Sequence, residues 1–285
     1  RDADGNEHVI ATTQMQSTDC RRAFPCWDEP DFKAVFAVTL VVDQDLIAVS
    51  NGREAERIVR DDGTAVITFD ETMIMSSYLV AFVVGPLEAT DWVDVDGIPV
   101  RIVHVPGKAG LTEFGLDVAA FGLRWFQDYY GIPYPSDKVD LVALPDFAAG
   151  AMENLGCITF RESLLLADPQ TATQSERQVI ADVVAHELAH MWFGDLVTMR
   201  WFDDVWMKEV FAALMASKIV RPSFPDVNHE LRFLLANYPS AYAVDRTPGA
   251  NPIRQPLGNL KDAGSLYGSI IYRKAPIVLR HLEAL

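Results

Sequence analysis

The sequence predicts an α+β chain, with strands gathered in its first third and helices dominating the remainder. Three observations lead there. Between Val9 and about Glu88, β-branched and aromatic runs alternate with turn clusters. From Leu111 onward, apolar residues recur at helical spacing. The change of pattern falls near Asp96, give or take about ten residues, which divides the chain into a strand-rich domain, 1–96, and a mainly helical one, 97–285.

In chain order, Val35–Val42 and Ala65–Phe69 are predicted strands, separated by the turns Ser50-Asn51-Gly52 and Asp61-Asp62-Gly63. Asp94-Val95-Asp96-Gly97 is a further turn, leading into a strand over Val100–Val105. Leu111–Tyr130 carries Leu116, Ala119, Ala120, Leu123 and Phe126 on one face, and Gly131 with Pro133 stops it. Val139–Leu144 is a short strand. Ser175-Glu176-Arg177-Gln178 fits a capping box opening a helix through Val179, Val183 and Leu188 toward Gly194. A second helix starts near Asp203 and runs to about Val220.

The 285 residues suffice for two domains, and 49% hydrophobic with 22% charged residues is the balance of an ordinary globular protein. A net charge of -16 argues against nucleic acid, whose phosphates demand a basic face, and suits a cationic ligand such as a free amino terminus. Three cysteines, Cys20, Cys26 and Cys157, form no disulfide framework and have no metal-ligand spacing, which points to a reducing compartment and favours the cytoplasm. The longest apolar runs fall far short of the roughly 20 residues a membrane span needs.

The chemistry concentrates in His186-Glu187-Leu188-Ala189-His190. Residues four apart lie on one helix face, so His186 and His190 can share one metal ion through ring nitrogens. Glu187, one step round the helix, reaches a metal-bound water without having to ligate the metal. A catalytic zinc site needs a third protein ligand, and the next helix offers Asp203, Asp204 and Glu209; spacing alone does not choose among them. Asp204 is also a candidate to orient a ligand histidine.

The segment His186–Ala212 resembles the zinc-binding region of the gluzincin aminopeptidases, the family of aminopeptidase N and leukotriene hydrolase. In that family the third ligand is a glutamate separated from the second histidine by eighteen intervening residues, the position of Glu209. Gly150-Ala151-Met152-Glu153-Asn154 matches the family's exopeptidase signature. There Gly150, Ala151 and Met152 line the substrate's path, and Glu153 takes its ammonium group. Thr13–Asp19 and Arg21–Pro30 look like the family's amino-terminal β-domain, which implies that Gln16 also meets the α-amino group, with Gln14 nearby. Phe24 and Trp27 read as core. Ser269–Lys274 resembles the segment whose tyrosine donates to the oxyanion, giving Tyr272 that role. Tyr267 is a pocket residue without an assigned role.

The resemblance implies an all-β, saddle-like first domain and a thermolysin-like catalytic domain holding one zinc ion. It implies hydrolysis of peptides with a free amino terminus by metal-activated water, with Glu187 as general base. It also implies that the chain is an excerpt, lacking the start of the β-domain and a closing C-terminal helical domain. Four departures stand out: Lys208 and Val210 flank Glu209 where asparagine and glycine are usual, Met191 replaces glutamine, and Ala275-Pro276 replaces Gly-Ala. Pro276 kinks a helix unless it sits in the first turn. Two other readings compete: a zinc endopeptidase of the same fold, for which Glu153 has no purpose, and an inactive member serving as an interaction module.

Overall fold

The computed structural model describes residues 7–285. Its first part is built from short strands: β1 (Ala11–Thr12), β2 (Lys33–Ala34), β3 (Thr39–Asp43), β4 (Ile47–Ser50), β5 (Glu54–Val59), β6 (Thr64–Phe69), β7 (Met75–Ser76) and β8 (Phe82–Gly85). They form the sheets β1-β8-β4, β3-β6-β5 and β2-β7. In β6 every second residue, Ala65, Ile67 and Phe69, is buried, so one face meets the core; all of β5 is exposed, as an outer strand allows. The strand predicted over Val35–Val42 begins only at Thr39. Before it, the Phe36 amide donates to Thr72 Oγ1 and its carbonyl accepts from the Thr72 amide, so a side chain interrupts the ladder. Phe24 is half-buried, edge-on to Phe36 at 6.3 Å, but Trp27 is 80% exposed and lies outside the core.

The second part opens with β9 (Glu88–Ala89), β10 (Val93–Val95) and β11 (Ile98–His104). Asp96 and Gly97 both take positive φ, 55° and 89°, the two-residue turn whose twist suits an antiparallel hairpin. After β11 the chain crosses over through helix α2 (Glu113–Tyr130) to a parallel strand, β12 (Val139–Leu144). Every residue of β12 is buried, as expected of a central strand covered on both faces. β13 (Ala151–Met152) and β14 (Cys157–Arg161) complete a sheet ordered β10-β11-β12-β14-β13, with β9 also on β11. Against it pack α2 and α3 (Gln174–His190); α4 (Val205–Ser223) packs on α3, followed by α5 (His229–Asp245) and α6 (Ala275–Glu283). A π-helical turn, Ile270–Lys274, runs straight into α6, and Pro276 falls in that helix's first turn, where it needs no donor.

A polar seam ties the two parts together. Asn51 is buried, and its amide donates to the carbonyls of Leu79 and Leu155, both at 2.8 Å, while its Oδ1 accepts from the Ala81 amide at 2.9 Å. Gly156 (φ 72°) closes against it: a Cβ there would lie 2.3 Å from the Asn51 carbonyl oxygen. Beside them the buried Lys138 ammonium donates to the carbonyls of Ser50 and Gly156 at 2.7 Å and pairs with Asp140 at 2.7 Å. Asn51→Ala strands three buried backbone groups, so unfolding stability should fall by about 3 kcal/mol. Chemical denaturation measures this, and a loss within experimental error would discount the seam.

Candidate metal centre and the groups around it

α3 starts two residues earlier than the predicted capping box, at Thr173. Thr173 Oγ1 accepts from the Glu176 amide at 3.2 Å, and Glu176 Oε2 accepts from the Thr173 amide at 2.8 Å. A charged carboxylate at the positive helix end outbids the neutral Gln178 that the prediction used. From this start the helix turns His186 and His190 to one face, with their Nε2 atoms 3.0 Å apart.

Of the three acidic residues on the next helix, only Glu209 faces the imidazoles, its Oε2 lying 3.3 Å from His186 Nε2 and 3.5 Å from His190 Nε2. Asp203 and Asp204 turn away to Arg254, at 2.5 and 2.7 Å. Asp204 is therefore not the histidine-orienting group; His190 Nδ1 instead faces the Phe193 carbonyl at 2.9 Å, which leaves Nε2 free to bind a metal.

The donor set fits a cation. A tetrahedral ion bound at roughly 2.0–2.1 Å holds its donors about 3.3 Å apart, close to the spacings here. Counting protein groups alone, burial lowers the pKa of His186, but it fails to do so for His190. Glu153 and Glu209 overcome that burial and raise His190 to about 9. Negative charge at this point draws in positive charge. Glu187 is buried, with its carboxylate within 4.8 Å of the His190 and Glu153 donor atoms. Burial pushes its carboxyl up to about 8, against the pull of His190. Such a group takes up and gives back a proton near neutrality.

Glu153 follows β13, the sheet's edge strand, whose partner is β14. The Gly150 carbonyl accepts from the Arg161 amide at 2.9 Å, while the Arg161 guanidinium holds the carbonyls of Phe147 and Ala148. This fastens the loop that leads through Gly150, Ala151 and Met152 to the carboxylate. Gln14 donates to Met152 Sδ at 3.3 Å, so the first part of the chain reaches the same strand.

Tyr272 stands on the π-turn, its ring centroid 6.4 Å from that of His186 and 6.5 Å from that of Tyr267. Burial raises the pKa of Tyr272 well above its ordinary value, so the phenol stays a donor. The Gln16 amide donates to Tyr267 Oη at 2.7 Å, which gives Tyr267 a definite place between Gln16 and Tyr272.

Sequence reasoning missed the position of Lys208. A lysine beside a glutamate on a helix ordinarily forms a solvated ion-pair face, yet Lys208 is buried. Its ammonium pairs with Glu153 Oε1 and lies 3.2 Å from Glu209 Oε1. Burial alone would lower its pKa, but Glu153 and Glu209 raise it well above the ordinary value. Burial likewise opposes the charge on Glu209, yet Lys208 and His190 hold that carboxyl well below its usual range. The one signal in the sequence was a cation where the family usually has asparagine.

A second cluster, Cys20, Cys26 and Asp28, comes within 4.8 Å despite spacing that gave no hint of it. Its carboxylate is already engaged by the Arg21 backbone and side chain, and by Ser77 Oγ at 2.6 Å. All three cysteines are free, and among the described residues no helix is long and apolar enough to cross a membrane.

Comparison with known proteins accords with this arrangement. Residues 114–285 match the Peptidase family M1 domain, and residues 1–79 match the Peptidase M1 N-terminal domain. The chain belongs to peptidase family M1. It is 41% identical over 283 residues to puromycin-sensitive aminopeptidase of Caenorhabditis elegans, covering 99% of this chain and 30% of that protein. Aminopeptidase M1-A of Oryza sativa subsp. japonica is 40% identical over 280 residues, 98% of this chain and 32% of its own length. Endoplasmic reticulum aminopeptidase 1 of Rattus norvegicus is 36% identical over 283 residues, 99% of this chain and 30% of that relative. The chain thus spans about a third of the length of these M1 relatives.

The M1 site rests on a small apolar cluster of Phe202, Val205, Ala263, Leu266 and Ile271, against which Tyr267 and Tyr272 pack. Phe202 is fully buried at the start of α4. Phe202→Ala should lower stability by about 3–5 kcal/mol, read from a denaturant midpoint. Unchanged stability would show that this cluster does not hold the two elements together.

Proposed function

We propose that the chain carries the centre of a zinc-dependent aminopeptidase, which releases N-terminal residues from peptides. One observation carries the reading: the His186, His190 and Glu209 donors converge with the Glu187 carboxylate alongside, in a chain of family M1 whose relatives are named aminopeptidases. We place the division between the β-domain and the catalytic domain near Asp96.

His186, His190 and Glu209 would hold a zinc ion, which when bound would supply Lewis acidity and lower the pKa of water toward about 7. Glu187 accepts the proton from the attacking water and delivers it to the departing amine. Tyr272 donates a hydrogen bond to the developing oxyanion, a task for a neutral phenol kept protonated by burial. β13 ends its sheet, and its free edge would offer backbone groups of Gly150, Ala151 and Met152 to an extended peptide. Glu153 and Gln16 would receive the free amino terminus of that peptide. Three free cysteines suit a reducing compartment, and we place the protein in the cytoplasm.

Purified protein is expected to hold one zinc per chain by mass spectrometry and to shorten an unblocked peptide one residue at a time from its amino end. Internal cleavage products instead would favour the endopeptidase reading, because Glu153 would then have no terminus to bind. Glu187→Gln should retain zinc while its rate falls by about 10²- to 10⁴-fold. Full activity in that variant would sink the proposed mechanism. Tyr272→Phe should lower kcat by about 10²- to 10³-fold with KM little changed. A change confined to KM would make Tyr272 a binding residue only.

A further inference from the structure

An ammonium from the chain itself sits where the substrate's ammonium is to be received. Lys208 leaves α4 beside Glu209, and its stem runs past Gly194, where an added Cβ would lie 3.5 Å from Lys208 Cδ. It then passes over the Tyr78 ring, with Nζ 5.3 Å from the centroid, and ends between Glu153 Oε1 and Glu209 Oε1. Tyr78 is itself fixed, its hydroxyl donating to the Gly194 carbonyl at 2.9 Å. The side chain is therefore walled on both sides and only 4% exposed, so no alternative position in water competes for it.

We propose that Lys208 is a specificity-determining residue: its ammonium holds Glu153 in competition with the substrate's α-ammonium. The chain then recognises amino termini less by charge than an uncapped Glu153 would, so its preference for a free over an acylated first amine is narrowed. Charge counting supports the assignment. The Lys208 ammonium stands against both Glu153 and Glu209, so it offsets the negative charge that an incoming ammonium would otherwise meet at Glu153. Because two carboxylates already neutralise Lys208, it does not become an anion site in turn.

The inference rests on the aminopeptidase reading, and two measurements test it. In the first, leucine amide and N-acetyl-leucine amide are titrated by calorimetry into metal-free protein, wild type and Lys208→Met. The free amine should bind the variant at least about tenfold more tightly, the scale of one charge-assisted hydrogen bond, while the blocked amide should not distinguish the two. In the second, kcat/KM is measured on leucine and N-acetyl-leucine anilides with zinc-loaded protein of verified metal content. The free-to-blocked ratio should rise about tenfold or more in Lys208→Met.

Lys208→Asn, which keeps a polar group, serves where the methionine variant folds poorly. Glu153→Gln in the Lys208 background covers the same ground independently. That change should raise KM for the free amine less than about threefold, but more than about tenfold once Lys208 is also replaced. Additive effects, or a ratio unmoved by either Lys208 variant, would overturn the proposal while N-terminal trimming persisted. Absence of trimming in every form overturns the aminopeptidase reading and this inference together.

Discussion

Everything near the centre answers to one constraint: three carboxylates are buried within a few ångströms of each other. Glu153, Glu187 and Glu209 come from three different segments, and removing each from water is costly unless a positive charge stands close by. The protein meets part of that demand with Lys208 and leaves the rest to the imidazoles and whatever cation they bind. The raised His190 and the depressed Glu209 are two views of the same imbalance.

The strand-rich part contributes to the centre without supplying a donor to it. Asn51 and Lys138 hold the two parts in register, and that register brings Gln14 to Met152 and Gln16 to Tyr267. A residue near the beginning of the chain thereby touches a tyrosine near its end. The surroundings of Met152 and Tyr267 therefore include residues that no reading of the helical part alone would supply.

Much of the fold was legible because periodicity and turn chemistry act locally. The hairpin at Asp96-Gly97, the buried run Val139–Leu144 and the helix ending at Gly131 follow from residues adjacent in sequence. The helix start at Thr173 misled because two overlapping capping patterns were present, and the charged one prevailed. The strand near Phe36 began late because Thr72, far along the chain, supplied the competing bond. At the site, helix spacing paired the histidines, while the choice of Glu209 over Asp203 and Asp204 depended on Arg254, which sequence distance conceals. Lys208 was hardest to read. A lysine beside a glutamate reads as surface, and only the approach of Glu153 from another layer makes it interior.

The π-helical turn at Ile270–Lys274 has a consequence for how this centre tolerates change in length. A widened turn carries one residue more than an α-helical turn, and each residue of an α-helix advances its side chain by about 100°. Loss of that single residue would tighten the turn and swing the phenol away from His186 without altering His186, His190 or Glu209. The position of Tyr272 is thus held by chain length rather than by chemical identity. A single-residue insertion or deletion there would therefore move the phenol more than a conservative substitution in the same turn.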